Sequence, residues 1–179
     1  MSRAEARALL KSMTESVSLL RHMRTIELVM EAYAEKLNED KDEWAIAGLL
    51  HDADYEVFPE KHPQVIVAKL TDIGEEKIAH AISAHYTKWN VPYETLLDKA
   101  LIACDELTGF IVACCQVRPD GITSLETKSV VKKLKDKGFA AKVDREEVYK
   151  GAELFGIDLN EHIAFIIEVL KKNRLELGI

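Results

Sequence analysis

Five of the six histidines lie between residues 22 and 85, and two acidic positions complete a pattern with them: His22, the adjacent pair His51-Asp52, His62, His80 or His85, and Asp105. Imidazole nitrogen and carboxylate oxygen are the donors that hold zinc, manganese, iron or cobalt, and a site mixing the two is open to hydrolytic chemistry. A divalent ion lowers the pKa of bound water from about 15.7 to about 7, which makes a hydroxide nucleophile at neutral pH. Two ions about 3.5–4 Å apart also clamp the attacking and leaving oxygens of an in-line phosphoryl displacement. The neighbourhoods of these residues suit such a role. His51-Asp52 closes the apolar run Trp44–Leu50, and Asp105 follows Leu101–Cys104 inside another apolar stretch. A carboxylate buried mid-helix is costly without a cationic partner, and a bound metal is one.

Residues so far apart must be brought together by regular elements, and the sequence supplies helices. Pro and Gly are few, 4 and 8 in 179 residues, and strict alternation of apolar with polar residues is scarce. Apolar residues instead recur three and four apart, as in Ile26, Met30, Tyr33 and Leu37, or in Leu96, Ala100, Cys104, Leu107 and Ile111. That spacing puts them on one helix face. The pattern predicts helices over 3–11, 16–37, 42–51, 62–71, 75–86, 93–115, 124–136, 145–155 and 159–173. Asp40 ahead of Trp44 and the Thr123–Ser124 pair ahead of Val130 are candidate N-caps. Gly121, Gly138 and Gly156 stand where helices should stop. No repeat, low-complexity tract or Ser/Gly-rich linker divides the chain, so one all-α domain over 1–179 is expected. On a helix turning about 100° per residue, His80 and His85 point about 140° apart, so they should not share one metal.

Charge narrows the ligand class. The chain carries 24 Lys+Arg against 31 Asp+Glu, a formal net charge of −7, which excludes a general nucleic-acid surface. A small phosphorylated ligand in a local basic or metal-lined pocket stays open. From Arg118 to Lys150 nine basic residues face six acidic ones, so this segment is +3 and the remainder −10. Such a run is commonly just a solvated helix face. As phosphate contacts, Arg118, Lys132, Lys133 and Arg145 are the best candidates in it, arginine because its fork matches phosphate geometry. Arg21 beside His22 and Lys88 just past His85 could reach the same cleft. Thr108, nearly one turn after Asp105, could turn its hydroxyl to metal or substrate. The charged opening residues and the lack of any apolar run of about 18–20 residues point to a cytoplasmic protein without a membrane segment. Cys104, Cys114 and Cys115 lie in one apolar stretch and read as buried small hydrophobes. His162, outside the ligand pattern, reads as a hydrogen-bonded core histidine.

His22, the His51-Asp52 doublet and Asp105, on successive helices, resemble the H…HD…D signature of the HD-domain metal-dependent phosphohydrolases. The resemblance runs from about Leu19 to Phe110, and the doublet after Ala45–Leu50 is its most specific part. It implies an all-α HD-domain helical bundle with a core over about 19–110 and a C-terminal helical extension over about 118–179. It also implies that His22, His51, Asp52 and Asp105 ligate one catalytic metal. Two-metal members add two histidines, and there Asp52 would bridge both ions. His62-Pro63 resembles the His-Pro that opens a helix in those members. His85 fits the second histidine better than His80, which is then left as a cleft or surface residue. One or two divalent ions are implied, with Fe, Mn, Zn, Ni, Co and Mg all admissible. Some one-metal members carry a further acid after the doublet. Asp54 and Glu56 are the candidates here, beside Asp52, for catalytic proton transfer. The implied activity is hydrolysis of a phosphomonoester, nucleotide or dinucleoside polyphosphate by a monomer or homodimer. Small bacterial HD proteins that cleave diadenosine tetraphosphate share the spread of ligands, although Asp105 is followed here by Glu106–Phe110 rather than by an early arginine. The alternatives on the same scaffold are a mixed-valence di-iron oxygenase and a non-catalytic nucleotide-sensing module.

Overall fold

The apolar run ahead of the His51-Asp52 doublet falls in helix α3 (Lys41–Leu50), and every residue from Trp44 to Leu50 is buried. A helix apolar on all sides must be surrounded, and α3 is. It packs against α1 (Arg3–Lys11), α2 (Val17–Leu37) and α5 (Glu76–His85). The computed structural model describes residues 1–179 and contains helices and turns with no strand. No helix is long and apolar enough to cross a membrane. The chain forms two compact units, Met1–Leu101 and Ile102–Ile179.

In the first unit, α4 (Gln64–Asp72) pairs with α5, a single 3₁₀ turn follows at Thr87–Trp89, and α6 (Leu96–Gln116) begins. The most extensive pairing is between α2 and α3. Met23, Ile26, Met30 and Tyr33 form the buried face of α2 at the spacing the sequence shows. Gly48 sets how close the two helices come. A Cβ at Gly48 would lie 2.9 Å from the Ile26 carbonyl oxygen and 3.0 Å from the Glu27 nitrogen. These are backbone atoms, which cannot swing aside. Glu27 itself is fully buried, and its carboxylate is held by Arg7 at 3.0 Å and by Arg24 at 2.7 Å. Asp40 caps α3 as expected, accepting the N–H groups of Asp42 and Glu43. The start of α6 is closed by reciprocal bonds. The Asp98 N–H donates to Thr95 Oγ1, and Asp98 Oδ2 accepts the Thr95 N–H; this is a capping box with aspartate in the glutamate position.

The second unit holds the rest of α6 with α7 (Thr127–Leu134), α8 (Arg145–Phe155), α9 (Leu159–Lys172) and α10 (Arg174–Leu177), and α9 packs against α7, α8 and α10. His162 is a core residue, as expected: it is fully buried and its Nε2–H donates to the Ala103 carbonyl at 2.9 Å. All three cysteines are buried and free. Burial pushes the Cys114 thiol up to about 11 and the Cys115 thiol up to about 12, so neither is reactive near neutrality.

Two local expectations fail here. The Thr123–Ser124 pair does not cap a helix. α7 begins only at Thr127, after Glu126 and without a side-chain cap, because Ser124 accepts the Arg118 guanidinium through its carbonyl and its hydroxyl. Gly156 ends α8 in the left-handed conformation, but Gly121 and Gly138 sit in turns beyond the helix ends. The predicted helix over 124–136 is accordingly shorter, and α10 and the 3₁₀ turn are additions.

Replacing Gly48 by Ala should cost about 1–3 kcal/mol, the usual penalty for forcing a group into a packed contact. Denaturant midpoints of wild type and Gly48→Ala will measure it.

Candidate metal centre

Four elements of the first unit deliver donors to one place. His22 comes from the second turn of α2, and His51 stands at the C-cap of α3 with Asp52 next to it. His62 lies just before α4, and His85 is the last residue of α5. Asp52 stands between them with its two oxygens facing opposite pairs. Oδ2 is 3.8 Å from His22 Nε2 and 3.6 Å from His51 Nε2. Oδ1 is 3.2 Å from His62 Nε2 and 3.8 Å from His85 Nε2. Two groups of ligand atoms spaced to hold an ion result, His22–His51–Asp52 and Asp52–His62–His85, with Asp52 common to both.

The other ring nitrogens explain why Nε2 faces inward. His51 Nδ1–H donates to the Gly48 carbonyl at 2.8 Å, and His85 Nδ1–H donates to the Ile82 carbonyl at 2.5 Å. Both acceptors lie three residues back, among the last four carbonyls of a helix, which have no intrahelical donor. A histidine closing a helix therefore finds its orienting acceptor in that same helix. His62 has no such carbonyl and uses a side chain: its Nδ1–H donates to Asp54 Oδ1 at 2.7 Å. Asp54 is itself fully buried, and its Oδ2 accepts the N–H groups of Val65 and Ile66 at the start of α4. An acceptor on the second nitrogen fixes the tautomer of a metal-binding histidine and makes it more basic.

That arrangement tests whether a metal suits the residues. With Nδ1 donating, His51, His62 and His85 all turn Nε2 toward the Asp52 carboxylate. His22 Nε2 also lies 3.2 Å from His51 Nε2. Imidazole nitrogens and carboxylate oxygens converging in a largely dry space are donors that a divalent ion would satisfy together. The donor set fits divalent ions. His51, His62 and His85 are buried, whereas His22 and Asp52 keep 23% and 20% of their side-chain surface open. Solvent and ligand can reach the centre on that side.

The other candidate residues divide. Asp54 is buried and orients His62, so it lies neither in a solvated loop nor among the donors facing Asp52. Glu56 is exposed, and its Oε2 accepts the N–H groups of Glu15 and Ser16, both at 2.9 Å, just ahead of α2. Thr14 Oγ1–H donates to the Ala53 carbonyl in the same seam. His80 falls outside both ligand groups; its Nδ1 is 3.2 Å from Asp98 Oδ2. Arg21 is half-buried beside His22, and Lys88 is exposed on the 3₁₀ turn.

Asp105, Thr108, Arg118, Lys132, Lys133 and Arg145 belong to the second unit. Asp105 is half-buried on α6, and Thr108 is fully buried with an unpartnered hydroxyl. Burial and the adjacent Asp105 raise the Glu106 carboxyl to about 7. Arg145 is not a free phosphate contact. Its guanidinium donates to the carbonyls of Ala140 and Val143 at 2.6 and 2.7 Å and to that of Phe139, tying down the loop before α8. Arg118, Lys132 and Lys133 line a cavity of about 340 Å³ with Ser129. Lys133 Nζ also lies 4.5 Å from the centre of the Phe139 ring.

The roles of Asp54, Gly48 and Ile82 were not apparent from the sequence. For the two carbonyls a signal existed, since a histidine closing a helix has free acceptors three residues back. For Asp54 there was only its type and its distance of eight residues from His62.

Among known families, a model described as HD domain matches residues 19–109, just over half of the chain. That span contains His22, His51, Asp52, His62, His85 and Asp105. No curated protein and no solved structure matches the chain.

Asp54→Asn removes the charge that orients His62 while keeping the shape. Metal affinity should fall by about 10–100-fold, the usual effect of losing such a partner. Calorimetric titration with Mn²⁺ or Zn²⁺ measures it, with far-UV circular dichroism checking that the helices remain.

Proposed function

This chain belongs to the HD-domain family, and from that premise we propose that it is a metal-dependent phosphohydrolase acting on a small phosphate ester. The candidate substrates are a phosphomonoester, a nucleotide or a dinucleoside polyphosphate. The observation that carries the proposal is the placement of Asp52, one oxygen toward His22 and His51 and the other toward His62 and His85. On this reading Asp52 would offer one oxygen to each of two divalent ions. His22 and His51 would complete the first position, and Asp105 is a ligand candidate from the family's pattern alone. His62 and His85 complete the second. Bound there, divalent ions would supply Lewis acidity toward a phosphoryl oxygen and would lower the pKa of a water.

The chain's own residues do the rest. Asp52 would hold the donors together and is the candidate to take the water's proton. Asp54 acts through His62 as a positioning residue, and Glu56 acts through the start of α2, which carries His22. Neither needs to touch the substrate. Arg21 and Lys88 supply positive charge in the same unit for the incoming phosphate. An imidazole-rich set suits Fe, Mn, Zn, Ni or Co better than Mg, which prefers oxygen ligands and retains its waters.

The test is a panel of phosphate esters, run on protein stripped of metal and reloaded anaerobically with Mn²⁺, Co²⁺, Zn²⁺, Ni²⁺ or Fe²⁺. Phosphate release should return with at least one ion and fall below about 1% of that rate in Asp52→Ala. Full activity in Asp52→Ala would overturn the site. Turnover that required oxygen, with no phosphate released, would replace hydrolysis with di-iron oxygenase chemistry. Nucleotide binding without turnover of any ester would leave a sensing module.

A further inference from the structure

His62 belongs to two structures at once. Its Nε2 faces Asp52 at 3.2 Å, and its ring is also the middle of a run of aromatic side chains leading to the surface. Tyr55 meets it edge to face, with ring centres 5.4 Å apart and planes at 82°. Tyr86 meets it in the same manner at 5.4 Å and 85°. Trp89 then meets Tyr86 at 5.9 Å and 90°. The outer members are open to solvent: Tyr55 is 49% exposed and Trp89 39%. Phe58, on the same segment as Tyr55, is 37% exposed. Of the four strongly exposed aromatic residues in the chain, Tyr149 alone lies away from these two segments. Lys88 Nζ sits 5.5 Å from the centre of the Tyr86 ring, so the run also carries positive charge.

Packing does not explain this placement. Edge-to-face contacts stabilise a pair of rings, yet a core would have buried them, and exposed aromatic surface beside a polar site is characteristic of a ligand platform. The occupant must satisfy three conditions. It places its anionic end at the Asp52 centre, tolerates Lys88 beside the Tyr86 ring, and offers a flat apolar face within reach of rings that begin at His62. A phosphate ester with an aromatic base satisfies all three. A phosphorylated sugar or polyol satisfies only the first two.

We propose that Tyr55, Tyr86 and Trp89 form a base-stacking platform that selects nucleotides over phosphate esters lacking a base, with the Lys88 charge beside the Tyr86 ring. This rests on the phosphoester reading above and adds to it the class of leaving group. Stacking on such rings tolerates different bases, because every base has a π face. The platform should therefore distinguish nucleotides from sugar phosphates strongly, and one nucleotide from another weakly.

Tryptophan fluorescence of the full chain tests this without turnover. Of the two tryptophans, Trp44 is buried in α3, so a ligand on the platform reports through Trp89. Adenosine 5′-monophosphate should quench the signal and bind about 10–100-fold tighter than ribose 5-phosphate. Trp89→Phe should abolish the quench while keeping most of the affinity, since phenylalanine still stacks. Trp89→Ala and Tyr55→Ala should each shrink the preference for the nucleotide by several-fold or more. Equal binding of the two probes, or a preference unchanged in both alanine variants, would overturn the platform, and the exposed rings would then be a surface for a protein partner. The two readings fail separately. Metal-dependent hydrolysis of ribose 5-phosphate without base preference sinks the platform and keeps the hydrolase. Base-selective quenching with no ester turned over keeps the platform and sinks the hydrolase.

Discussion

Four imidazoles surround the carboxylate of Asp52, two facing each oxygen, and the rest of the first unit is built to hold them there. Three of the rings have committed their Nδ1–H elsewhere, so each turns its Nε2 toward Asp52. An ion held there would bind the folded chain and not the unfolded one, so its binding would add to the stability of the fold.

His51 and His85 are each aimed by a carbonyl of their own helix, and His62 by the Asp54 carboxylate. α3 can end against α2 with His51 in place because Gly48 lets the helices touch, and the same glycine's carbonyl fixes the His51 ring. Packing and ligand orientation thus share a residue, and a change there affects both. Asp54 plays the corresponding part for His62 while also receiving the first N–H groups of α4, which ties helix start to ligand. Glu56 and Thr14 stitch the turn after the doublet to the residues that open α2. The proposed metal site is consequently held by backbone contacts as much as by side chains.

Much of this was legible in the sequence. The helices carried by strong three-and-four periodicity, such as α2 and α6, lie close to where the pattern puts them, and five residues of the ligand pattern, His22, His51, Asp52, His62 and His85, fall in the two groups of ligand atoms that share Asp52. What was not legible depends on partners distant in sequence. Ser124 looks like a helix cap until Arg118 is seen to occupy it. Arg145 looks like a free phosphate contact until the carbonyls of 139–143 are seen to fill its fork. Asp54 looks like one more loop acid because burial, not residue type, decides its role. The aromatic run from Tyr55 to Trp89 is spread over 35 positions and has no period, so only the fold assembles it.

Whether the Asp52 carboxylate joins two metal positions is tested most directly by the magnetic behaviour of the Mn²⁺-loaded protein. Electron paramagnetic resonance of a sample saturated with Mn²⁺ and freed of excess should show two ions per chain with the broadened signal of an exchange-coupled pair, as expected for ions sharing a bridging carboxylate. The spectrum of magnetically isolated Mn²⁺, at one ion per chain or at two, would contradict the account.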